Sequence, residues 1–443
     1  MNEKYAAKHT ENATDLYGLR QTWLAETDIN ASAFESVEER LNAGLCLIAC
    51  NLQSETAESA FAPAENKKEP SKEAECFVYL ACRINAENPE IGHTAYDLAY
   101  QWLALDTEKS AAAEAALSLY PQGDQSKLLK LYEEQEALRP NLFRLFRKQM
   151  QTLPLAMVST AASSDNTSAE LKIEALHYAA ANPDLGLDLF RSHYLALLSG
   201  YTQFEESIVE AALWGGLVRS DPDASKALSI ALSHAGAATE QATLLRLAAL
   251  SGAAEFLPLL LQAAENDPDS GYPLLVLFGQ KSVIPELLKA LEIAHTLEQS
   301  ASAFEQLTDQ ILPRVPRLSV VGKETDDAGE SPEPIPDTLI PDVRAAHAWW
   351  KQNQTIWKTD ERWLYGKPTT SAHLTALTKK HAGQFGCDLM ALLQLSNQAP
   401  LNIPFETWRA RQTQLLDAPI NAKPNASKQT SQAATKSTST RHA

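Results

Sequence analysis

The chain holds 68 Ala and 62 Leu but only 11 Val and 15 Ile. Ala and Leu are strong helix formers, whereas the β-branched residues favour pleated sheet. Too few of the latter are present to build a large sheet, so the chain is predicted to be all-α. Its 443 residues allow two or three domains and a sizeable core.

The local pattern agrees. Segments such as Ala169–Leu176 and Glu206–Leu213 place apolar residues three and four apart, the spacing of one helix face. Four breaks between such segments share a chemistry: Asn88-Pro89-Glu90, Asn182-Pro183-Asp184, Asp221-Pro222-Asp223 and Asp267-Pro268-Asp269. In each, Asn or Asp is a cap, Pro fits the first helical position, and the acid sits at the positive end of the dipole. A second regularity has a period of 27. Gly252–Glu265 aligns with Gly279–Glu292, six of fourteen positions being identical, and each copy follows a Leu-x-Gly helix end at Leu250 and Leu277. The expected architecture is an α-solenoid of HEAT-like helix pairs with a small C-terminal helical region.

Composition divides the chain into an N-terminal helical region (1–53), a linker (54–74), the solenoid (75–318), an acidic Pro-rich linker (319–342), a Trp-rich helical region (343–420) and a tail (421–443). The tail lacks aromatic and acidic residues and is expected to be disordered.

Charge narrows the partners. Asp and Glu number 56 against 38 Lys and Arg, a net −18; the tail carries +4, leaving −22 elsewhere. Nucleic acids and anionic membranes are therefore not expected partners. The first fifteen residues contain no apolar core segment and no run of about 20 apolar residues occurs, so a cytoplasmic location is expected. Cys46 and Cys50, and Cys76 and Cys82, lie on apolar helical stretches and read as small buried hydrophobes rather than as a zinc site. No phosphate-binding, dinucleotide-binding, nucleophile-elbow or His-Glu-x-x-His motif is present. His177 and His193 lack a ligand at metal spacing, and Asp326 and Asp327 fall in the acidic linker. The expectation is a non-enzymatic protein with no catalytic residue, metal or cofactor.

Five of eight Trp follow the acidic linker. Trp350 and Trp357, seven apart, share a face if one helix runs through both. With Trp363 and Trp408 they are the candidate partner-binding residues, aromatic anchors being natural at interfaces; core filling is the other reading. The run Arg362-Trp363-Leu364-Tyr365-Gly366-Lys367-Pro368, then His373-Leu374, and later Phe405 and Trp408–Gln412, resembles a motif of a bacterial HEAT-like family encoded beside type VI secretion spike and effector genes. The Gly-x-x-x-x-Leu-Pro-Leu-Leu-Leu element beginning at Gly252 fits it too. That resemblance implies a cytoplasmic adaptor or chaperone that holds an effector or spike-tip protein, and it carries over no catalytic residues. An immunity protein that neutralises a toxin, and a lyase-like HEAT-repeat enzyme, are the alternatives left open.

Overall fold

The computed structural model describes residues 3–52, 72–105, 108–121, 125–200, 205–235, 238–316, 339–359, 361–396, 403–404 and 406–417. Most of both expected linkers, Asp326, Asp327, Phe405 and the tail lie outside the described residues. Among those described are twenty-one α-helices and six strands of two or three residues, so the protein is all-α.

The chain opens with a hairpin of α1 (Glu3–Ala25) and α2 (Ala31–Leu52). Then come α3 (Glu73–Ile84), α4 (Pro89–Leu103), α5 (Glu108–Leu119), α6 (Gln125–Glu134), α7 (Arg139–Gln149), α8 (Leu155–Ser163) and α9 (Ala169–Ala180). The run continues through α10 (Asp188–Leu198), α11 (Glu206–Val218), α12 (Pro222–His234) and α13 (Ala238–Ser251). It ends with α14 (Leu257–Asn266), α15 (Pro268–Phe278), α16 (Val283–Ala290) and α17 (Leu297–Thr308). Alternate helices from α1 to α17 pack on one another in sequence, and each intervening helix lies against the one that follows it. This is the connectivity of a helical-repeat array, with an inner row of odd-numbered helices.

Three of the four Pro-containing breaks start helices as expected, α4, α12 and α15. Asn88 and Asp221 cap theirs by accepting from Glu90 N and Asp223 N. At the fourth, Asn182 accepts from Asp184 N in the same way, but closes a turn, and α10 begins only at Asp188. Asp221 also receives two hydrogen bonds from Arg191, at 2.9 and 2.8 Å, and one from the Tyr194 hydroxyl. These donors, Arg191 first, hold its carboxyl down to about 2 from an ordinary 3.8. The folded value lies below the unfolded one, so this stabilisation is present above about pH 4 and is lost as pH falls toward 2. Asp221→Asn should flatten that part of the acid denaturation curve, followed by circular dichroism; an unchanged acid limb contradicts the assignment.

The C-termini of the inner row are tied together along one edge. Gln149 at the end of α7 donates to Leu117 O of α5 at 2.9 Å. Arg219 beyond α11 donates to Ala179 O and Ala180 O of α9, both at 3.1 Å. Helix ends leave carbonyls without intrahelical partners, and a cation there also meets the negative end of the dipole. The repeat of period 27 is part of the same device. Gly252 and Gly279 both end their helices with positive φ, 66° and 62°, and Leu260 and Leu287 are both fully buried. A Cβ on Gly279 would lie 2.8 Å from Trp363 O, so the turn requires glycine.

The C-terminal region comprises β2 (Arg314–Pro316) paired with β3 (Leu339–Pro341), α18 (Val343–Asn353), a hairpin of β4 (Trp363–Leu364) and β5 (Lys367–Pro368), α19 (Ser371–Thr378), β6 (His381–Ala382), α20 (Gly383–Ser396) and α21 (Arg409–Asp417). It returns across the inner row to the N-terminal hairpin. Helix α20 packs on α1, α11 and α13, and α21 packs on α2. Strand β6 pairs with β1 (Ile29–Asn30), Ile29 opposite Ala382 and Asn30 opposite His381. The first amides of α20, Gln384 N and Phe385 N, donate at 2.8 Å to Glu26 O and Thr27 O of the α1–α2 turn. An Arg20–Glu38 pair, 2.7 Å and almost fully buried, reinforces the join, with Arg409 N donating to the second Glu38 oxygen at 2.6 Å.

Candidate functional site

The four tryptophans nominated from the sequence are brought together only in part. Helix α18 ends at Asn353, so Trp350 and Trp357 do not share a helix face. Their rings nonetheless meet edge-on, with centroids 5.7 Å apart, and Trp357 stacks on Trp363 at 4.6 Å. Trp350, Trp357 and Trp363 are 8%, 3% and 5% exposed. These three are core residues, as the core-filling reading has it, and not the exposed anchors of the partner-binding reading: stacking the rings on one another buries more apolar area than leaving them at the surface. Trp408 lies elsewhere, half-buried under the Arg20 guanidinium at 4.5 Å and near Phe77.

Arg362, at the head of the motif, is a structural clamp. Its guanidinium donates to Leu250 O at 2.6 Å, Ala249 O at 2.8 Å, Phe278 O at 3.2 Å and Leu277 O. One side chain thus caps α13 and α15, the two helices that precede the copies of the 27-residue repeat. The following residues do the same for α17 with backbone: Tyr365 N donates to Gln306 O at 2.7 Å and Gly366 N to Leu307 O at 2.8 Å. Burial pushes the Arg362 guanidinium down to about 10, still charged at neutral pH.

A cavity of about 250 Å³ lies between the inner row and α20. Successive inner helices each supply one polar side chain to it: Arg147 from α7, His177 from α9, Glu210 from α11 and Arg246 from α13. Trp214, Leu247 and Leu250 form apolar wall, and α20 contributes Cys387, Met390 and Gln394. Much of the charge is matched internally. Arg246 Nε donates to Asp388 of α20 at 2.6 Å. Outside this lining, around a separate cavity, Arg144 reaches Glu174 at 2.9 Å, Glu170 at 3.1 Å and Glu114 at 3.4 Å, and Lys148 lies 2.6 Å from Glu114. Burial, then the Arg147 charge, pushes His177 down to about 4, so it is neutral at pH 7. Burial also raises the Glu210 carboxyl, against the pull of Arg246, and drives the Cys387 thiol up to about 12. A protonated thiol that donates to Gly383 O at 3.2 Å is a poor nucleophile.

No family model, curated protein or solved structure matches this chain.

His177 and His193, which the sequence leaves without a ligand at metal spacing, line different cavities. No group of three or more possible metal ligands occurs among the described residues. Of the paired cysteines, Cys76 and Cys82 are buried as expected, Cys46 is half-buried, and Cys50 is exposed on the outer side of α2. No described helix is long and apolar enough to cross a membrane. Glu210 and Arg246 were missed, although each interrupts an apolar run, Ile208–Leu213 and Leu244–Leu250.

Proposed function

We propose that the protein is a non-enzymatic, protein-binding scaffold that acts in the cytoplasm as an adaptor or chaperone in type VI secretion, holding an effector or spike-tip protein before export. The observation that carries this reading is the segment Arg362–Lys367: the residues that resemble the secretion-associated family are the ones that lock the ends of α13, α15 and α17. The segment of resemblance and the repeat array are thus one mechanical unit, and repeat arrays offer extended surfaces to folded partners. Because α20 lies against α1, α11 and α13 of the inner row, the partner is assigned to the outer surface rather than to a concave face. Around the β2–β3 ribbon Ile311 is 79% and Leu339 54% exposed, apolar contact points on a strongly acidic protein. A basic partner suits that charge, which speeds encounter more than it tightens the complex.

Affinity capture from the native host lysate, identified by mass spectrometry at about 50 and 500 mM salt, tests this. The expected result is a basic effector or spike-tip protein retained at low salt and depleted at high salt. A toxin as the sole captured partner favours the immunity reading instead. Capture of nothing at either salt contradicts the scaffold.

A further inference from the structure

Once the Arg246–Asp388 pair is set aside, two charged groups remain in the lining, one on α7 and one on α11. Among the described residues Arg147 has one ion pair, with Glu174, loose at 3.7 Å, while the other Glu174 oxygen is held by Arg144; the buried Arg147 Nε has no hydrogen-bond partner among them. Glu210, two inner helices away and half-buried, has no hydrogen bond or ion pair among the described residues. His177 sits on the helix between them, likewise without a hydrogen bond. Glu406, within electrostatic reach of His177, leaves Oε2 buried and unpartnered. Buried polar atoms are nearly always paired, so several unpaired ones around one cavity mark a place where a polar molecule belongs.

We infer that the cavity is a binding site for a small zwitterion of the amino-acid class, its carboxylate on Arg147, its ammonium on Glu210 and its apolar body on Trp214 and Leu247. A simple anion or a simple cation would answer one of the two groups and leave the other. Arg147 and Glu210 stand on next-but-one helices of the same row, with α9 between them, and both line the same cavity of about 250 Å³. The neutral imidazole of His177 does not repel the ammonium, and an ammonium beside Glu210 favours the ionised carboxylate against the burial that raises it.

The test is calorimetric titration and thermal melting of the full chain with three probes: L-leucine, 4-methylpentanoate, which lacks the ammonium, and 3-methylbutylamine, which lacks the carboxylate. L-leucine should bind and raise the melting temperature, with each single-charge analogue weaker by at least about tenfold. Arg147→Gln and Glu210→Gln should each remove most of the binding. Should Arg147→Gln fail to fold for want of its contact with Glu174, Glu210→Gln decides alone, since that side chain has no hydrogen bond or ion pair to lose among the described residues. The inference is overturned if L-leucine, L-methionine and L-phenylalanine all fail to bind at about 10 mM, leaving water as the only occupant. It is equally overturned if the analogues bind as well as L-leucine, or if Glu210→Gln binds like the wild type.

Discussion

Replacing Arg362 by Met is expected to destabilise the protein by about 3–5 kcal/mol, seen as a lower denaturant midpoint at unchanged slope. The side chain satisfies four carbonyls from the ends of two helices, beside the main-chain bond from Trp363 N to Gly279 O at 2.7 Å. Met fills much of the volume but donates nothing, so buried carbonyls at both helix ends lose their partner, and each such loss costs about 1–3 kcal/mol. Arg362→Lys should recover less than half, because a single ammonium cannot fork across two helix ends as the planar guanidinium does. A loss below about 1 kcal/mol for Arg362→Met would show that the clamp is incidental.

The second large effect is expected at the join between the two ends of the chain. Glu38→Ala removes the carboxylate that receives Arg20 Nε and Arg409 N, and leaves the Arg20 guanidinium, 4% exposed, without its counter-ion. Removing one partner of a buried pair costs about 3–5 kcal/mol, because the survivor remains desolvated. Glu38→Gln keeps an acceptor for one donor and should cost less. The loss should also be local in its consequence: α21 loses the backbone hydrogen bond that seats it on α2, so limited proteolysis should cut before Arg409 faster than within the array. Equal cleavage in both places would contradict the role given to Glu38.

What was readable in the sequence follows from how far apart the interacting residues lie. The scarcity of Val and Ile specifies an all-helical chain because propensity is a local property. The 27-residue repeat was legible for the same reason: Gly252, Gly279, Leu260 and Leu287 take their conformation and burial from the turn and helix on either side. The purpose of Arg362 was not, since its acceptors lie 84 to 113 residues away and belong to backbone carbonyls, which every residue carries. The return of the C-terminal region onto the hairpin was invisible too. It is made by strands of two residues and by main-chain bonds such as Gln384 N to Glu26 O, too short to impose an alternating pattern. Trp350 and Trp357 were placed on one helix face by their spacing, yet they meet through a turn after Asn353, because aromatic stacking selects the contact and the helix does not. The cavity was within reach of sequence reasoning. A Glu or Arg inside an otherwise apolar run, as at Glu210 and Arg246, is a local signal of a polar site facing inward.

The central claim is that this array keeps its own C-terminal region across its inner row, joined to the N-terminal hairpin. Amide hydrogen exchange of Gln384 and Phe385 tests it most directly. These are first-turn amides of α20, which have no acceptor within their own helix, so any protection they show comes from Glu26 O and Thr27 O. The account predicts exchange as slow as that of the inner helices α11 and α13. Exchange at the rate of an unstructured peptide, with the rest of α20 protected, would mean that the helix forms without docking, and would contradict it.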